Sequence, residues 1–234
     1  MRLYIIRHAD PDYPNNTITA AGHLEAKALG ERMKKLGLDH IYASPLGRAV
    51  HTMQYSAEAL GMGHTIEEWT AELNCFADFA SAGGHMAVWD VPGEHIHAAK
   101  THYTRENWYE HELFVNPIFR ETAERVACAS DAFIARHGYM REGGRYRIAK
   151  PNREKIAVFC HGGFGLFWLA HLLAIPQPLM WAGFHLPPSS VTTILFDERT
   201  KDWAVPRCIG LGDVSHLYAA GLPTQPAGIK ANVD

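Results

Sequence analysis

Two short apolar runs that each end in a histidine constrain this chain more than any other feature. Arg2-Leu3-Tyr4-Ile5-Ile6-Arg7 leads into His8, and Ile156-Ala157-Val158-Phe159-Cys160 leads into His161-Gly162-Gly163. Such β-branched and aromatic runs read as strands buried on both faces, which a parallel sheet covered by helices provides. Open α/β sheets bind their ligands at the carboxyl ends of their strands. The two histidines are therefore expected to meet in one site, although they lie far apart in sequence.

The pattern between them fits that fold. A polar loop, Asp10-Pro11-Asp12-Tyr13-Pro14-Asn15-Asn16, follows His8. Thr19 stands at an N-cap, and Leu24, Ala28, Leu29, Met33 and Leu36 recur at helical spacing up to Gly37. His40 to Ser44 reads as a second strand, and Pro45 is placed to open a helix running to about Leu60. A third strand is expected near Thr65 to Trp69. From Cys75 to about Arg120 aromatics, histidines, glycine and proline crowd together without a period, as in an inserted cap. Helical periodicity returns from Glu121 to His137. Glu142-Gly143-Gly144 marks a hairpin turn, an apolar helix covers about Phe164 to Leu173, and strands are expected at Ser190 to Phe196 and Trp203 to Cys208.

The expected fold is α/β: three layers, a mostly parallel sheet with helices on both faces, and an added cap. One domain would span 1–213, with the cap at about 75–120 and a C-terminal tail at 214–234. That tail has little pattern and could serve a homodimer contact.

Composition narrows the partners. With 234 residues, 47% hydrophobic and 20% charged, the chain reads as an ordinary globular protein. A formal net charge of −3 gives no global basic field for nucleic acid or anionic membrane, so an anion must be held by a local cluster. The basic stretch from Arg141 to Lys155 carries no RNA-binding motif and reads as the exposed face of a hairpin. No apolar run approaches bilayer length and the first strand follows Met1 at once, which together point to a cytoplasmic protein. Its four cysteines are widely spaced, without C-x-x-C, and suggest reduced thiols instead of a zinc site or disulfides.

The chemistry is suggested by four residues. Arg7 and His8 share one strand end, and His161 opens onto Gly162-Gly163, where small residues let backbone N–H groups approach an anion. Arg48 lies in the first turn of a helix, where it opposes the helix dipole and so calls for a reason other than helix stability. Two guanidinium forks bind phosphoryl oxygens with paired, charge-assisted bonds that lysine cannot copy. A histidine with one bare nitrogen is an adequate nucleophile near neutral pH.

In order along the chain stand Arg7-His8-Ala9, Ile18-Thr19-Ala20-Ala21-Gly22-His23-Leu24-Glu25-Ala26, Ser44-Pro45-Leu46-Gly47-Arg48-Ala49-Val50-His51-Thr52 and His161-Gly162-Gly163. These four pieces resemble the histidine phosphatase superfamily, also called phosphoglycerate mutase-like. The resemblance implies that His8 forms a phosphohistidine and that Arg7, Arg48, His161, Gly162 and Asn15 line the phosphate pocket. It also implies an acid shortly after the third strand. Glu72 matches best, with Glu67, Glu68 and Asp78 as the other candidates.

Ala9 replaces the family's usual glycine, Glu25 stands where glutamine is common, and the loop before the first helix is short. The short loop disfavours a mutase and favours a metal-independent phosphomonoesterase without cofactor, acting on a small phosphorylated substrate; a phosphoprotein would fit as well. The alternatives are a mutase or bisphosphatase of sugar phosphates, and a non-catalytic phosphate-binding scaffold. In the cap, His95 and His97 at alternate positions could share a strand face and bind metal with Glu94 or His102, but no ligand spacing supports this and no metal is expected. The cap aromatics are expected to build a small satellite core over the site.

Overall fold

The computed structural model describes residues 1–100 and 102–229. The chain opens with β1 (Arg2–Arg7), the two-residue strands β2 (Pro11–Asp12) and β3 (Thr17–Ile18), and α1 (Ala20–Leu36). Next come β4 (His40–Ala43), α2 (Gly47–Leu60), β5 (Thr65–Ile66), a hairpin of β6 (Phe76–Phe79) and β7 (Gly84–Ala87), α3 (Gly93–His97) and α4 (Pro117–Arg136). A second hairpin, β8 (Tyr139–Glu142) and β9 (Arg145–Ile148), precedes β10 (Lys155–Cys160), α5 (Gly162–Leu173), α6 (Gln177–Gly183), β11 (Val191–Asp197), β12 (Trp203–Asp213) and α7 (Ser215–Ala219).

The central sheet has the order β5-β4-β10-β1-β11-β12-β9-β8. Alternation along β1 and β10 assigns its two faces. Leu3, Ile5, Ile156 and Val158 pack with Phe164 and Phe167 of α5, whereas Tyr4, Ile6, Ala157 and Phe159 pack with Leu29 and Met33 of α1 and Met53 of α2. The three-layer α/β expectation therefore holds.

The sheet is mixed, however, where a mostly parallel one was expected. β1, β10, β4 and β5 pair in parallel, while β11, β12, β9 and β8 join antiparallel. For two of these pairs the cause is loop length. β12 turns back from β11 within five residues, and β9 from β8 across Gly143-Gly144, and such short returns permit only antiparallel pairing.

Local signals placed most element ends. Thr19 caps α1 by accepting the Gly22 N–H at 3.0 Å. The second helix starts two residues later than Pro45 suggests, because Ser44 Oγ accepts the Leu46 N–H and holds a turn there. The fourth helix starts before Glu121: Asn116 accepts the Ile118 N–H and Pro117 takes the first helical position.

The segment from Phe76 to Asn116 does not form a satellite core. Phe79, Val88, Ile96, Trp108 and Phe114 are continuous with the α5 face of the main core. His95 and His97 lie on the short helix α3, not a strand, and residues two apart on a helix face away from each other. Arg141, expected on an exposed hairpin face, is buried against Tyr146. The tail forms α7, whose Leu217 is buried, and continues to Ala227 and Gly228 beside Arg7. Among the described residues no helix is long and apolar enough to cross a membrane.

Candidate active site

The site grows from the carboxyl ends of β1 and β10. Arg7 is in register with Cys160, so His8 and His161 leave adjacent strands side by side, with ring centroids 5.2 Å apart. The His8 backbone stays in the ladder, donating to Cys160 O at 2.9 Å and accepting from Ser189 N–H at 3.0 Å. Its Nδ1 lies 2.8 Å from Ala9 O. A carbonyl can only accept, so Nδ1 carries a proton. Burial first, with Arg7 and Arg48 adding to it, holds the imidazole well below its ordinary pKa. A neutral ring has one proton, and Nε2 is bare.

Around it stand cationic and polar donors. Arg7 is fixed by its Nη1, which donates to Leu186 O at 2.6 Å and Ala227 O at 3.0 Å. Arg48 projects from the start of α2, its Nη1 donating to Asn16 Oδ1 at 3.2 Å and its guanidinium 5.4 Å from the Tyr13 ring centre. The α2 start can lie this close because residue 47 is glycine: a Cβ there would stand 2.2 Å from Asn16 O. His161 Nε2 lies 2.7 Å from Ser44 Oγ, and burial, His8 and the two arginines keep its ring neutral as well. Among the described residues Arg7 Nε, Arg48 Nε and His161 Nδ1 are buried and make no hydrogen bond. The two guanidinium N–H donors left unmade cost roughly 1–3 kcal/mol each, which an anion seated between them would recover.

Glu72 closes the site from beneath α5. Its Oε1 accepts the N–H groups of Phe164 at 2.7 Å and Leu73 at 3.1 Å, and Oε2 that of Gly163 at 3.1 Å. The carboxylate thus caps the helix that follows His161, in place of the side-chain cap that His161 does not make. Burial raises its pKa, against the opposing pull of the three N–H groups and Arg7. The Gly163 N–H, expected to face an anion, is taken by this carboxylate. Glu72, Arg7 and Gly162 line one cavity of about 780 Å³.

The remaining candidates lie elsewhere. Asn15 is exposed, with its amide bonded to Asp12 at 2.8 Å, and it is the neighbouring Asn16 that reaches Arg48. Glu67 holds Trp69 and Arg136, Asp78 pairs with exposed His85, and the Glu68 side chain takes no part in the cavity. Tyr13 and His185 line the cavity, and no local sequence pattern marks either. Only proximity to a motif could have suggested Tyr13. Among the described residues the one group placed to share a cation is His40, His137 and Glu154. These lie at the opposite, amino-terminal sheet edge, where His137 Nδ1 and Glu154 Oε2 bond each other at 2.8 Å.

The probable phosphoglycerate mutase GpmB of Salmonella arizonae is 30% identical over 83 residues, which is 32% of this chain and only 39% of that protein. The chain thus matches well under half the length of that curated relative. Among solved structures, phosphoserine phosphatase from Entamoeba histolytica superposes with a TM-score of 0.61 at 18% identity, covering 92% of this chain and 98% of that one. Mycobacterial glucosyl-3-phosphoglycerate phosphatase gives 0.61 at 18% over 90% and 98%, and Bacillus stearothermophilus YhfR 0.60 at 20% over 92% and 98%. At such identities the likeness is one of fold. The family model described as histidine phosphatase superfamily (branch 1) matches residues 3–207, nearly the whole described chain, and the protein belongs to that superfamily.

Proposed function

We propose that the protein is a phosphomonoesterase working through a phosphohistidine on His8. The observation that carries this reading is the bare, neutral Nε2 of His8, beside His161 and set among buried guanidinium donors of Arg7 and Arg48 that have no partner among the described residues. In the first step the Nε2 lone pair attacks phosphorus and the bond to the ester oxygen breaks. Glu72, whose acid form burial favours, gives its proton to the leaving oxygen. In the second, Glu72 takes a proton from water, the water oxygen attacks phosphorus, and the phosphorus–nitrogen bond breaks to release phosphate and restore His8. Arg7, Arg48, His161 and the Gly162 edge bind the phosphoryl oxygens, and the two guanidinium charges supply the neutralisation that a metal would otherwise give.

The names of the structural neighbours, two of them phosphatases, support hydrolysis over transfer. The free cysteines, Cys75 and Cys160 among them buried, suit a reducing cytoplasm. The test is turnover of phosphomonoesters in the presence of a chelator, with acid-labile phosphate trapped on the protein and both lost in His8→Ala. Turnover that survives this substitution overturns the reading. Exchange of label between substrate positions, without net release of phosphate, would instead assign the mutase activity suggested by the name of the Salmonella relative.

A further inference from the structure

The cavity that holds Arg7 and Glu72 continues away from the phosphate end, and its far walls are of a different kind. Large apolar side chains that a folded chain would ordinarily bury line the cavity: Phe76 is 48% exposed and Phe184 38%, while Tyr13 at 58% and Ile229 at 45% stand nearer the two arginines. Exposed apolar residues scattered singly need no explanation, but four gathered around one concavity mark a surface awaiting a ligand. Trp89 gives the wall a fixed plane. Its indole lies against Gly163 and meets the Phe76 ring edge to face with centres 6.2 Å apart. At about 780 Å³ the cavity exceeds what a phosphoryl group needs and falls in the range of whole small-molecule sites.

Among the described residues lining the cavity Arg7 is the only arginine or lysine, and it belongs to the phosphate end. The polar groups beyond it are Asp90, an acid, and His185, whose Nε2 is buried without a partner and whose ring burial and Arg7 keep neutral. A hydroxyl or ether oxygen could take the His185 nitrogen.

Resting on the phosphomonoesterase reading, we propose that the natural substrate is the phosphate ester of an aromatic alcohol, its ring held between Phe76, Trp89 and Phe184. Alkyl esters of comparable intrinsic reactivity test this: 2-naphthylmethyl phosphate, glycerol 1-phosphate and 3-phosphoglycerate. The expected kcat/KM is at least about tenfold higher for the naphthylmethyl ester than for either glycerol 1-phosphate or 3-phosphoglycerate, the scale an apolar pocket can supply. Phe76→Ala and Phe184→Ala, both at exposed rings whose loss should not unfold the chain, are each expected to lower the aromatic-to-glycerol ratio about threefold or more. A preference for 3-phosphoglycerate, or a ratio unmoved in both variants, overturns the assignment and leaves the phosphatase reading standing. If no ester is turned over, that reading fails instead. The pocket is then judged by binding of 2-naphthylmethylphosphonate, followed through tryptophan fluorescence: binding weakened about threefold or more in Phe76→Ala supports the aromatic site, and no binding by the unaltered protein overturns it.

Discussion

The indole of Trp89 occupies the space that a side chain at residue 163 would need: a Cβ on Gly163 would lie 2.7 Å from three atoms of the ring. The same glycine gives its N–H to Glu72 Oε2. Substrate wall, helix start and the proposed proton donor therefore meet at one residue without a side chain. Gly163→Ala should force the indole or the first turn of α5 to move. Overpacking of this kind costs about 1–3 kcal/mol in stability. We expect kcat/KM to fall at least about tenfold as the Glu72 cap is disturbed, with Trp89 fluorescence shifted; denaturant titration and steady-state kinetics check both.

Glu72→Gln keeps the size of the side chain and one oxygen for the cap, loses the second acceptor, and removes the transferable proton. For alkyl esters kcat should fall by about 10²–10⁴. For p-nitrophenyl phosphate, whose leaving group needs no proton, the loss should be clearly smaller. Because burial raises the Glu72 pKa above its ordinary 4.5, the acid form persists to higher pH than in a free carboxyl, and the alkaline fall in kcat attributable to it should disappear in the variant. An equal loss for both leaving groups would assign Glu72 to helix capping alone.

Glu25 is buried behind the loop after His8, accepts the Asp10 N–H at 3.0 Å, and has its pKa pushed up by burial from 4.5 to about 7. A folded state that holds the proton more tightly than the unfolded chain is stabilised fully below pH 4.5, and that contribution is lost as pH rises through about 7. Glu25→Gln, neutral at every pH, should remove this decline. Urea unfolding at pH 5 and pH 8 should show the variant gaining roughly 1–3 kcal/mol on the wild type at the higher pH.

His216 predicts the opposite limb. Its ring is buried between Ser189 Oγ, at 3.2 Å, and the Arg32 guanidinium, and burial lowers its pKa from 6.5 to about 4. Stability from keeping this ring neutral is complete above pH 6.5 and is lost as pH falls toward 4. His216→Gln should flatten the acid side of the stability curve between those values, read as the pH dependence of the thermal midpoint.

Much of this site could be read from strings of neighbouring residues, because the strands that carry it are uniform and their ends are abrupt. The run into His8, the Thr19 cap, Arg48 after Ser44-Pro45 and the run into His161 are all local patterns, and the fold brings them together. What local patterns do not contain is reach. Tyr13, His185 and Ala227 come to Arg7 and Arg48 by chain paths set by packing, and it is Asn16, in a turn with a positive φ of 50°, that reaches Arg48 and not Asn15. The antiparallel half of the sheet was hidden for a related reason. Strand signals report burial and spacing, whereas direction depends on the length of the returning loop.

The pairing of Arg7 with Cys160 has a consequence for how the protein would fail on heating. His8 and His161 are each one residue beyond a hydrogen-bonded partner in the two central strands, so no loop can loosen their mutual placement while that ladder stays closed. Catalytic competence is thereby tied to the most protected part of the molecule, the part that opens only in global unfolding. Loss of the histidine pair and melting of the sheet become a single event.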